Sequence, residues 1–376
     1  LFFFFSNAKK NKSIGIILSG TGSDGSRGIR AIKSEDGFTI AQQPMNAKYD
    51  GMPNSAINTG NIDLILDTEV MITEIIEILN YRGKNINQNP IQNQNQVYTS
   101  IIKKIYTVKK VDFSLYKNST IQRRIERRMA ALKIVNMSNY YKYLLENAEE
   151  SDLLFQDILI NVTSFFRDEE AFASLKEILK KAIEEKKDKN IRIWIPGCST
   201  GEEPYSIAII LSELLENKVA DYKIQIFATD LDESVTSICR KARYPEAAII
   251  NVDRNIVKKY FTVKNDEYEV IKPIRDMCIF SRHNIISDPA FMRLDLISCR
   301  NMLIYFTTEL QDRIFPMFHY ALNDTGILFL GKSESIGRYN YQFKFLDKKW
   351  KIYQAIFHGQ KTPPFPVKLP SEREKA

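Results

Sequence analysis

A glycine-containing turn carries the residues with the clearest chemical potential. Residues 191–206 alternate as a strand, turn at two glycines and continue as a helix pattern: IRIWIPGCSTGEEPYS. Gly197 and Gly201 allow a backbone to approach a ligand closely. Glu202 and Glu203 follow directly and would repel a pyrophosphate at the helix N-terminus. A ligand with an ammonium and a sulfonium group fits better, which predicts S-adenosylmethionine as the cofactor and methyl transfer as the chemistry.

A second strand pattern supplies an acidic residue where such a cofactor needs one. Residues 223–228 alternate as a strand and end in Thr-Asp-Leu-Asp at 229–232. In a βαβ nucleotide fold, an acid at the end of the second strand hydrogen-bonds ribose hydroxyls. Asp230 is better placed for this than Asp232. Alternatively, either aspartate caps the helix that starts near Glu233, and both interpretations can hold together.

Length and composition are those of an ordinary globular chain. The 376 residues leave room for two or three domains, and 44% are hydrophobic and 26% charged. The opening Leu1 to Phe5 is too short for a membrane span and lacks signal-peptide features, so we expect a cut edge of a larger protein, with a truncated membrane segment as the alternative. The four cysteines occur singly, which argues against zinc and a disulfide framework and for a reducing cytoplasm; they are Cys198, Cys239, Cys278 and Cys299.

The net charge of +7 is concentrated in one segment. Residues 1–80 carry a net charge of −2, whereas residues 99–135 hold ten Lys/Arg against two acids, a net charge of +8. Two neighbouring i,i+4 stripes stand out, Arg123 with Arg127 and Arg124 with Arg128, and only Glu126 is near enough in sequence to neutralise them. A solvated face is one interpretation. We favour docking on an acidic protein partner; nucleic acid is disfavoured because stacking aromatics are missing.

Pattern changes divide the chain. Residues 81–98 are mostly Asn and Gln and predict a linker. Residues 99–186 predict helices, with Thr120 capping a segment whose apolar residues recur at helical spacing, and further helices at 139–148 and 170–187. From residue 191, strands and helices alternate. Strand patterns at 278–280, 294–298, 327–330 and 350–356, a helix at 309–322 and a turn at 323–326 predict a doubly wound α/β sheet with a final antiparallel hairpin.

Residues 245–277 interrupt this alternation. Residues 263–271 predict a small hairpin and therefore an inserted antiparallel β subdomain. Residues 359–376 are rich in Pro and Lys and predict a tail or a further linker. Near the start of the chain, the glycines of GTGSDG at 20–25 satisfy a dinucleotide pattern, but the next strand ends in Gln-Gln-Pro instead of an acid, so that interpretation fails.

The stretch from about 111 to 356 resembles the CheR family, the chemotaxis receptor glutamate methyltransferases. Six blocks in order carry this resemblance: RRIERRM at 123–129, NVTSFFRD at 161–168, GCSTGEEPYS at 197–206, ATDLD at 228–232, HN at 283–284 and DLISCRNMLIYF at 295–306. The resemblance implies a Rossmann-like class I methyltransferase domain at 187–358, preceded by an all-α subdomain at 99–186.

The resemblance also implies roles for individual residues. The family places Asn161, Thr163 and Arg167 near the methionine end of the cofactor and the reacting centre. It assigns the ammonium to Glu203 and the ribose to Asp230. The remaining positions are Asn284 on the adenine side, Arg300 and Asn301 beneath the cofactor, and Tyr305 facing the substrate. Plain packing at a strand end is the alternative for Tyr305 and Phe306.

The N-terminal segment, residues 1–80, resembles the C-terminal part of the CheB methylesterase catalytic domain. GTGSDG at 20–25 and GMP at 51–53 carry this resemblance, and Asp24 aligns with the acid of the family's Ser-His-Asp triad. A triad needs a histidine to relay the serine proton, and the first histidine here is His283. Asp24 is therefore expected to be an orphan acid in a partial, inactive α/β esterase domain of a fused protein.

Together these expectations define a cytoplasmic enzyme that methylates glutamate side chains of methyl-accepting chemoreceptors, using S-adenosylmethionine and no metal. The alternative is a non-catalytic cofactor-binding signalling module that acts through protein contacts. A nucleic-acid base methyltransferase is a weaker alternative, because the fourth strand is not followed by an Asn/Asp-Pro-Pro-Tyr/Phe motif. No membrane insertion is expected.

Overall fold

The computed structural model describes residues 2–9, 12–35, 37–84, 91–159, 161–264 and 267–357. The chain forms two compact units. Unit 1 comprises Leu1–Val162, Arg243–Asp253 and Val263–Tyr268, and unit 2 comprises Thr163–Ala242, Arg254–Thr262 and Glu269–Ala376.

Unit 1 begins with a small parallel sheet. Its strands lie in the order β1 (Ile14–Ile17), β2 (Phe38–Gln42), β3 (Leu64–Leu66). All five residues of β2 are buried, as expected for a central parallel strand covered on both faces. The accompanying helices are α1 (Phe2–Lys9), α2 (Ser26–Ser34), α3 (Gly51–Ile57) and α4 (Thr68–Lys84).

Four helices complete the greater part of unit 1. They are α5 (Ile91–Lys109), α6 (Asn118–Ala131), α7 (Met137–Glu146) and α8 (Ala148–Ile158). Ile121, Ile125 and Met129 of α6 are buried at the predicted helical spacing. Thr120 does not cap this helix, because its own N–H already donates to the carbonyl of Lys117, the N-cap residue.

The predicted linker at 81–98 is wrong at its start and at its end, because both parts are helical. Residues 81–84 continue α4, and α5 starts at Ile91; residues 85–90 lie outside the described part of the chain. Tyr98 is buried, and its hydroxyl donates to Asn118 Oδ1 at 3.3 Å. Gln is a good helix former, and the apolar residues that follow pack this helix against its neighbours, so tertiary packing overrides the polar composition.

Unit 2 contains a seven-stranded sheet whose order confirms the doubly wound prediction. The strands are β4 (Asn190–Pro196), β5 (Lys223–Asp230), β9 (Cys278–Arg282), β10 (Leu294–Cys299), β11 (Leu322–Leu330), β12 (Phe343–Asp347) and β13 (Ile352–Ala355). They lie in the order β12-β13-β11-β10-β4-β5-β9. The last five in this order are parallel, and β13 is antiparallel to both β11 and β12.

The chain reverses its direction across this sheet between β4 and β10. From β4 it proceeds outward to β5 and β9, and it then returns to place β10 on the other side of β4. Ligands of open α/β sheets bind at such a switch point, outside the carboxyl ends of the strands. The helices that cover the sheet are α9 (Glu169–Glu185), α10 (Glu202–Leu215), α11 (Glu233–Lys241) and α15 (Thr308–Ala321).

Two local predictions need adjustment. The predicted turn at 323–326 lies inside β11, at a register shift opposite the start of β10. The predicted hairpin corresponds to β7 (Phe261–Lys264) and β8 (Glu267–Val270), which form a separate sheet in the order β6-β8-β7 with β6 (Arg243–Pro245). Three short helices belong to this region: α12 (Glu246–Ile249), α13 (Arg254–Tyr260) and α14 (Lys272–Arg275). The predicted tail lies outside the described residues.

The cysteines are free thiols, and three of the four are fully buried. Cys278 is partly exposed. A search of the described residues finds no helix with the length and apolarity needed to cross a bilayer.

Candidate active site

The glycine turn at the end of β4 forms the centre of the site. Gly197 and Gly201 adopt φ values of +70° and +95°, which favour glycine. A Cβ on Gly197 would lie 2.8 Å from Met302 Sδ, so the turn and the segment after β10 approach each other closely. Ser199 is also left-handed, with φ +50°. Its hydroxyl is buried and has no hydrogen-bond partner among the described residues.

Asp230 supports this turn from the end of β5. Its side chain is buried, and its two oxygens accept the N–H of Ser199 at 2.8 Å and of Asp232 at 3.0 Å. Burial raises the pKa of Asp230 to about 6, although backbone N–H donors oppose the rise. Asp232 is the residue that caps α11, since its Oδ1 accepts the N–H of Ser234 at 2.9 Å. Asp232 therefore caps the helix, and Asp230 does not have to serve both roles.

A buried arginine links three parts of unit 2. The side chain of Arg300 is fully buried at the end of β10. Its guanidinium lies 3.3 Å from Glu203 Oε2 and donates at 2.7 Å to both Asp168 Oδ2 and the Arg167 carbonyl. Ser298 donates to the other oxygen of Glu203 at 2.7 Å. The structure thereby brings together Arg167, Glu203 and Arg300, three of the predicted site residues.

Aromatic rings fix the position of this arginine. The guanidinium carbon of Arg300 lies 5.0 Å from the ring centre of Phe172 and 4.7 Å from that of Phe329. Such cation–π contacts gain strength away from water. The loop before α9 is strained beside them, because Phe166 and Asp168 both have positive φ, 49° and 63°. Strain of this kind often accompanies functional sites.

Three other predicted residues lie in segments that follow strands of the sheet. Asn301 is left-handed, with φ +59°, and its N–H donates to Glu334 Oε2 at 2.9 Å. Tyr305 is half-buried in a 3-10 turn, Leu303–Tyr305. Asn284 follows β9, and its side-chain oxygen accepts the N–H of Ile286 at 3.0 Å, so this oxygen is already used within its own loop.

Two predicted residues precede this network in the chain. Thr163 begins unit 2 and is partly buried, whereas Asn161 belongs to unit 1. The strand-end packing interpretation holds for Phe306, which is 1% exposed. The role of Tyr305 implied by the resemblance stays a prediction.

The residues around the turn fit S-adenosylmethionine. Glu203 accepts one bond on each oxygen and retains capacity for an ammonium group, since a carboxylate has about four acceptor positions. The glycine turn leaves the backbone accessible, and the unpaired Ser199 hydroxyl offers a further polar contact. Asp230 carries two acceptor oxygens at the position expected for ribose.

Sequence reasoning missed several supporting residues. Asp168 and Ser199 stand inside quoted motifs, but nothing in their local sequence indicated a role. Ser298 lies in β10, two residues before the predicted Arg300. Glu334 follows β11 and reaches residues 301–303 only through the fold. A signal for Glu334 would have required knowledge of which strands are neighbours.

The predicted exposed arginine stripe of α6 is wrong for most of its members. Arg124 and Arg127 are 2% and 3% exposed, Arg128 is partly buried, and Arg123 alone of the four is exposed. Arg127 Nε donates to Asp63 Oδ1 at 2.9 Å, and its NH2 group donates to Asp63 Oδ2. These contacts lie within unit 1.

Acidic partners of this helix come from distant sequence. Arg128 makes two hydrogen bonds to Glu150, at 2.9 and 2.7 Å, and the hydroxyl of Tyr140 donates to the same carboxylate at 2.7 Å. Lys33 bridges Asp63 and Asp157 at 3.1 and 3.2 Å. The expectation that only Glu126 could neutralise the stripe is therefore wrong, because sequence proximity does not reveal partners from α8 and from the strand β3 region.

Asp24 is exposed in the turn before α2. Within the described residues, no group of three or more His, Cys, Asp or Glu side chains could hold a metal ion.

Comparison with known proteins divides the chain as its motifs do. Residues 1–75 match the CheB methylesterase family, residues 96–159 match the all-alpha domain of CheR methyltransferase, and residues 161–352 match the SAM-binding domain of CheR methyltransferase.

Individual relatives cover different parts of the chain. An uncharacterized 104.1 kDa protein of Rhodobacter capsulatus is 33% identical over 93% of this chain and 39% of that protein. A chemotaxis protein methyltransferase of Borreliella burgdorferi is 31% identical over 69% of this chain and 96% of the relative. The crystal structure of the Thermotoga maritima CheB methylesterase catalytic domain is 31% identical, with 20% of this chain and 41% of that chain covered and a TM-score of 0.20. The chain thus spans well under half the length of its Rhodobacter relative.

The doubly wound sheet and the glycine turn at its switch point define a class I, S-adenosylmethionine-binding methyltransferase fold. The chain belongs to the CheR methyltransferase family and carries a CheB methylesterase segment on its N-terminal side. The family resemblance, the fold class and the cofactor predicted from the sequence are confirmed.

Proposed function

We propose that this chain transfers a methyl group from S-adenosylmethionine to glutamate side-chain carboxylates of chemoreceptor cytoplasmic domains, in the cytoplasm. The observation that carries the proposal is the buried Arg300 network, which ties Glu203 to the loop of Arg167 and Asp168. This network joins the cofactor side of the site to the segment that the family resemblance assigns to the reacting centre. Relatives named chemotaxis protein methyltransferase support methyl transfer as the reaction.

Different residues would bind the cofactor and orient the acceptor. Glu203 would bind the ammonium group and Asp230 the ribose hydroxyls of the cofactor, which supplies an electrophilic methyl group on its sulfonium. Arg300 holds Glu203 and the Arg167 loop in place through its 3.3 Å and 2.7 Å contacts. Arg167 and Tyr305 would then orient the acceptor carboxylate, because alignment of attacker and methyl is the main requirement of a direct displacement.

No general base is needed for this reaction. A free glutamate carboxyl has a pKa of about 4.3 and is ionised at neutral pH, so the nucleophile requires no deprotonation. A site without a histidine at its centre is consistent with this chemistry. The contribution of the protein is to exclude water and to place fixed dipoles around the reacting charges.

A labelling experiment tests the proposal. The protein is incubated with methyl-labelled S-adenosylmethionine and receptor cytoplasmic domains, and a base-labile methyl ester on the receptor is expected. The matched control uses receptor domains whose acceptor glutamates are replaced by alanine. Label on nucleic acid alone, or cofactor binding without any transfer, would refute glutamate methylation and favour a base methyltransferase or a non-catalytic binding module, respectively.

We further propose that the CheB-like segment has no esterase activity in this chain. Asp24 is exposed, and the first histidine of the sequence is His283, in unit 2. An acid alone cannot activate a serine nucleophile. Methanol release from methylated receptor domains measures this activity directly, and release that disappears in Asp24→Ala would contradict the proposal.

A further inference from the structure

One buried carboxylate outside the predicted site holds the segment that follows β10. Glu334 is 4% exposed. Its Oε1 accepts the N–H of Met302 at 2.9 Å and of Leu303 at 2.7 Å, and its Oε2 accepts the N–H of Asn301 at 2.9 Å and of Gly331 at 2.7 Å.

Backbone donors balance this buried charge. Among the ion pairs of the described residues, none involves Glu334. Burial raises the pKa of Glu334, and the four N–H donors oppose that rise. Burying a carboxylate is costly unless hydrogen bonds replace its water. An apolar side chain would leave the four amide groups without their acceptor, so the carboxylate and the segment depend on each other.

The segment held by Glu334 lies between two site residues. Arg300 precedes it, and Tyr305 ends the 3-10 turn that follows. Asn301 has φ +59°, a conformation that costs energy for a residue with a side chain and persists only when its surroundings hold it. Met302 contacts the cofactor turn, since a Cβ on Gly197 would lie 2.8 Å from its Sδ.

We propose that Glu334 is a positioning residue for methyl transfer. It fixes the position and backbone conformation of residues 300–305 beside the glycine turn. Through this segment it fixes Arg300 on the cofactor side and Tyr305 on the acceptor side. The inference rests on the proposed methyl transfer and adds a residue to it. The alternative is that Glu334 contributes only to the stability of the fold.

Gly331 gives an independent way to disturb the same contact. A Cβ at this position would lie 2.7 Å from Glu334 Oε2 and 2.9 Å from the backbone nitrogen of Asn301. Gly331→Ala should therefore disturb the hydrogen bond between the carboxylate and the Asn301 amide without changing the charge of Glu334. Agreement between Gly331→Ala and a Glu334 variant would locate the effect in this contact.

Glu334→Gln is the main variant. A glutamine retains one oxygen for two of the amides, but its NH2 group faces the other two donors and repels them. We expect kcat for receptor methylation to fall about tenfold or more, since misplacement by 1 Å can cost about a hundredfold. The Kd for S-adenosylhomocysteine, measured by calorimetry, should rise by a smaller factor, because Arg300 and Asn301 are disturbed but Glu203 and Asp230 lie on other elements.

Hydrogen exchange provides a readout that does not depend on activity. Peptides that contain residues 301–303 should exchange faster in Glu334→Gln and Gly331→Ala, whereas peptides of β4 should not. Glu334→Asp keeps the charge but is shorter, so partial recovery of kcat relative to Glu334→Gln is expected. Ser335→Ala is the matched control: it removes an exposed hydroxyl of the same turn, which bonds only the N–H of Gly337 among the described residues.

The outcomes separate the two roles. Wild-type kcat per folded molecule in both variants, with a lowered Tm as the only change, would overturn the proposal. A lower kcat with a smaller rise in the Kd for S-adenosylhomocysteine and faster exchange at 301–303 supports it. If the wild-type chain fails to methylate receptor domains, the proposed function fails and the positioning role for methyl transfer is overturned with it. If the wild-type chain is active, unchanged kcat and unchanged exchange in both variants would overturn the positioning role alone.

Discussion

Asp230 combines burial with a position expected to contact a ligand. Because burial raises the pKa of its carboxyl to about 6, the side chain changes charge between pH 5 and pH 7. The ionised form accepts hydrogen bonds from hydroxyl groups, and the protonated form loses part of this capacity. Cofactor affinity should therefore depend on pH in a range where ordinary aspartates are fully ionised.

We expect S-adenosylhomocysteine to bind about tenfold more weakly at pH 5 than at pH 7, since a group of pKa about 6 is roughly 90% ionised at pH 7 and 10% at pH 5. Calorimetry at a series of pH values measures this. Asp230→Asn is the control: it should bind more weakly at pH 7 and lose most of the pH dependence. An identical pH profile in wild type and variant would show that another group titrates.

Tyr305 allows binding and turnover to be separated at a single residue. Its proposed contact is with the acceptor, so Tyr305→Phe should leave the Kd for S-adenosylhomocysteine unchanged and lower kcat about tenfold or more, as for loss of one donor near the reacting charges. The matched variant is Phe306→Leu at the adjacent, fully buried ring, which should lower stability instead. Equal kcat in Tyr305→Phe and wild type would assign Tyr305 to packing alone.

At the scale of elements, the sequence predicts the strand-turn-helix units well. The turn after β4 and the acid at the end of β5 could be located because strand alternation, glycine spacing and helix periodicity are local signals. The start of α6 and the polar start of α5 could not be located from the sequence, because packing against neighbouring helices determines where these helices begin. The arginines of α6 show the same limit, since Asp63 and Glu150 are far from them in sequence.

Helix α6 still leads to a prediction about receptor docking, now restricted to its exposed arginine. Arg123→Glu should slow receptor methylation several-fold at low salt and leave S-adenosylhomocysteine affinity unchanged, since exposed charges act on encounter. The difference from wild type should shrink as salt rises, because the Debye length is about 10 Å at 0.1 M. Initial rates at several salt concentrations measure this.

Lys142→Glu is the matched control, because Lys142 is exposed on α7 of the same unit. It applies the same charge change at a different place. Equal rates for Arg123→Glu and Lys142→Glu would remove α6 as a docking site. Arg124→Glu is unsuitable for this test, since Arg124 is 2% exposed and a buried glutamate there would disrupt packing.

For the molecule as a whole, the order of the motifs predicts the doubly wound sheet and its antiparallel end. What the sequence could not predict are contacts between segments far apart in the chain. Glu334 binds residues 301–303, and Asp63 binds Arg127 across 64 positions. Both are buried charges whose partners depend on the completed fold, so no local sequence pattern predicts these contacts.

The Asp63–Arg127 pair joins the CheB-like segment of unit 1 to its helical segment, and its loss should destabilise that unit. Burial alone would raise the pKa of Asp63, but Arg127 and Lys33 outweigh it and hold the pKa well below 3.8. A lowered folded-state pKa means that the pair contributes fully above about pH 4 and is lost only as pH falls through the folded value.

Asp63→Asn should therefore destabilise unit 1 by about 3 to 5 kcal/mol at pH 7, because Arg127 is left buried without its partner. Denaturant unfolding gives the free energy, and hydrogen exchange of α6 peptides assigns the loss to this unit. Glu170→Gln removes one member of an exposed ion pair with Lys349 and should cause no measurable change. If Asp63→Asn unfolds like wild type and α6 exchange is unaltered, the CheB-like and helical segments do not stabilise each other through this pair.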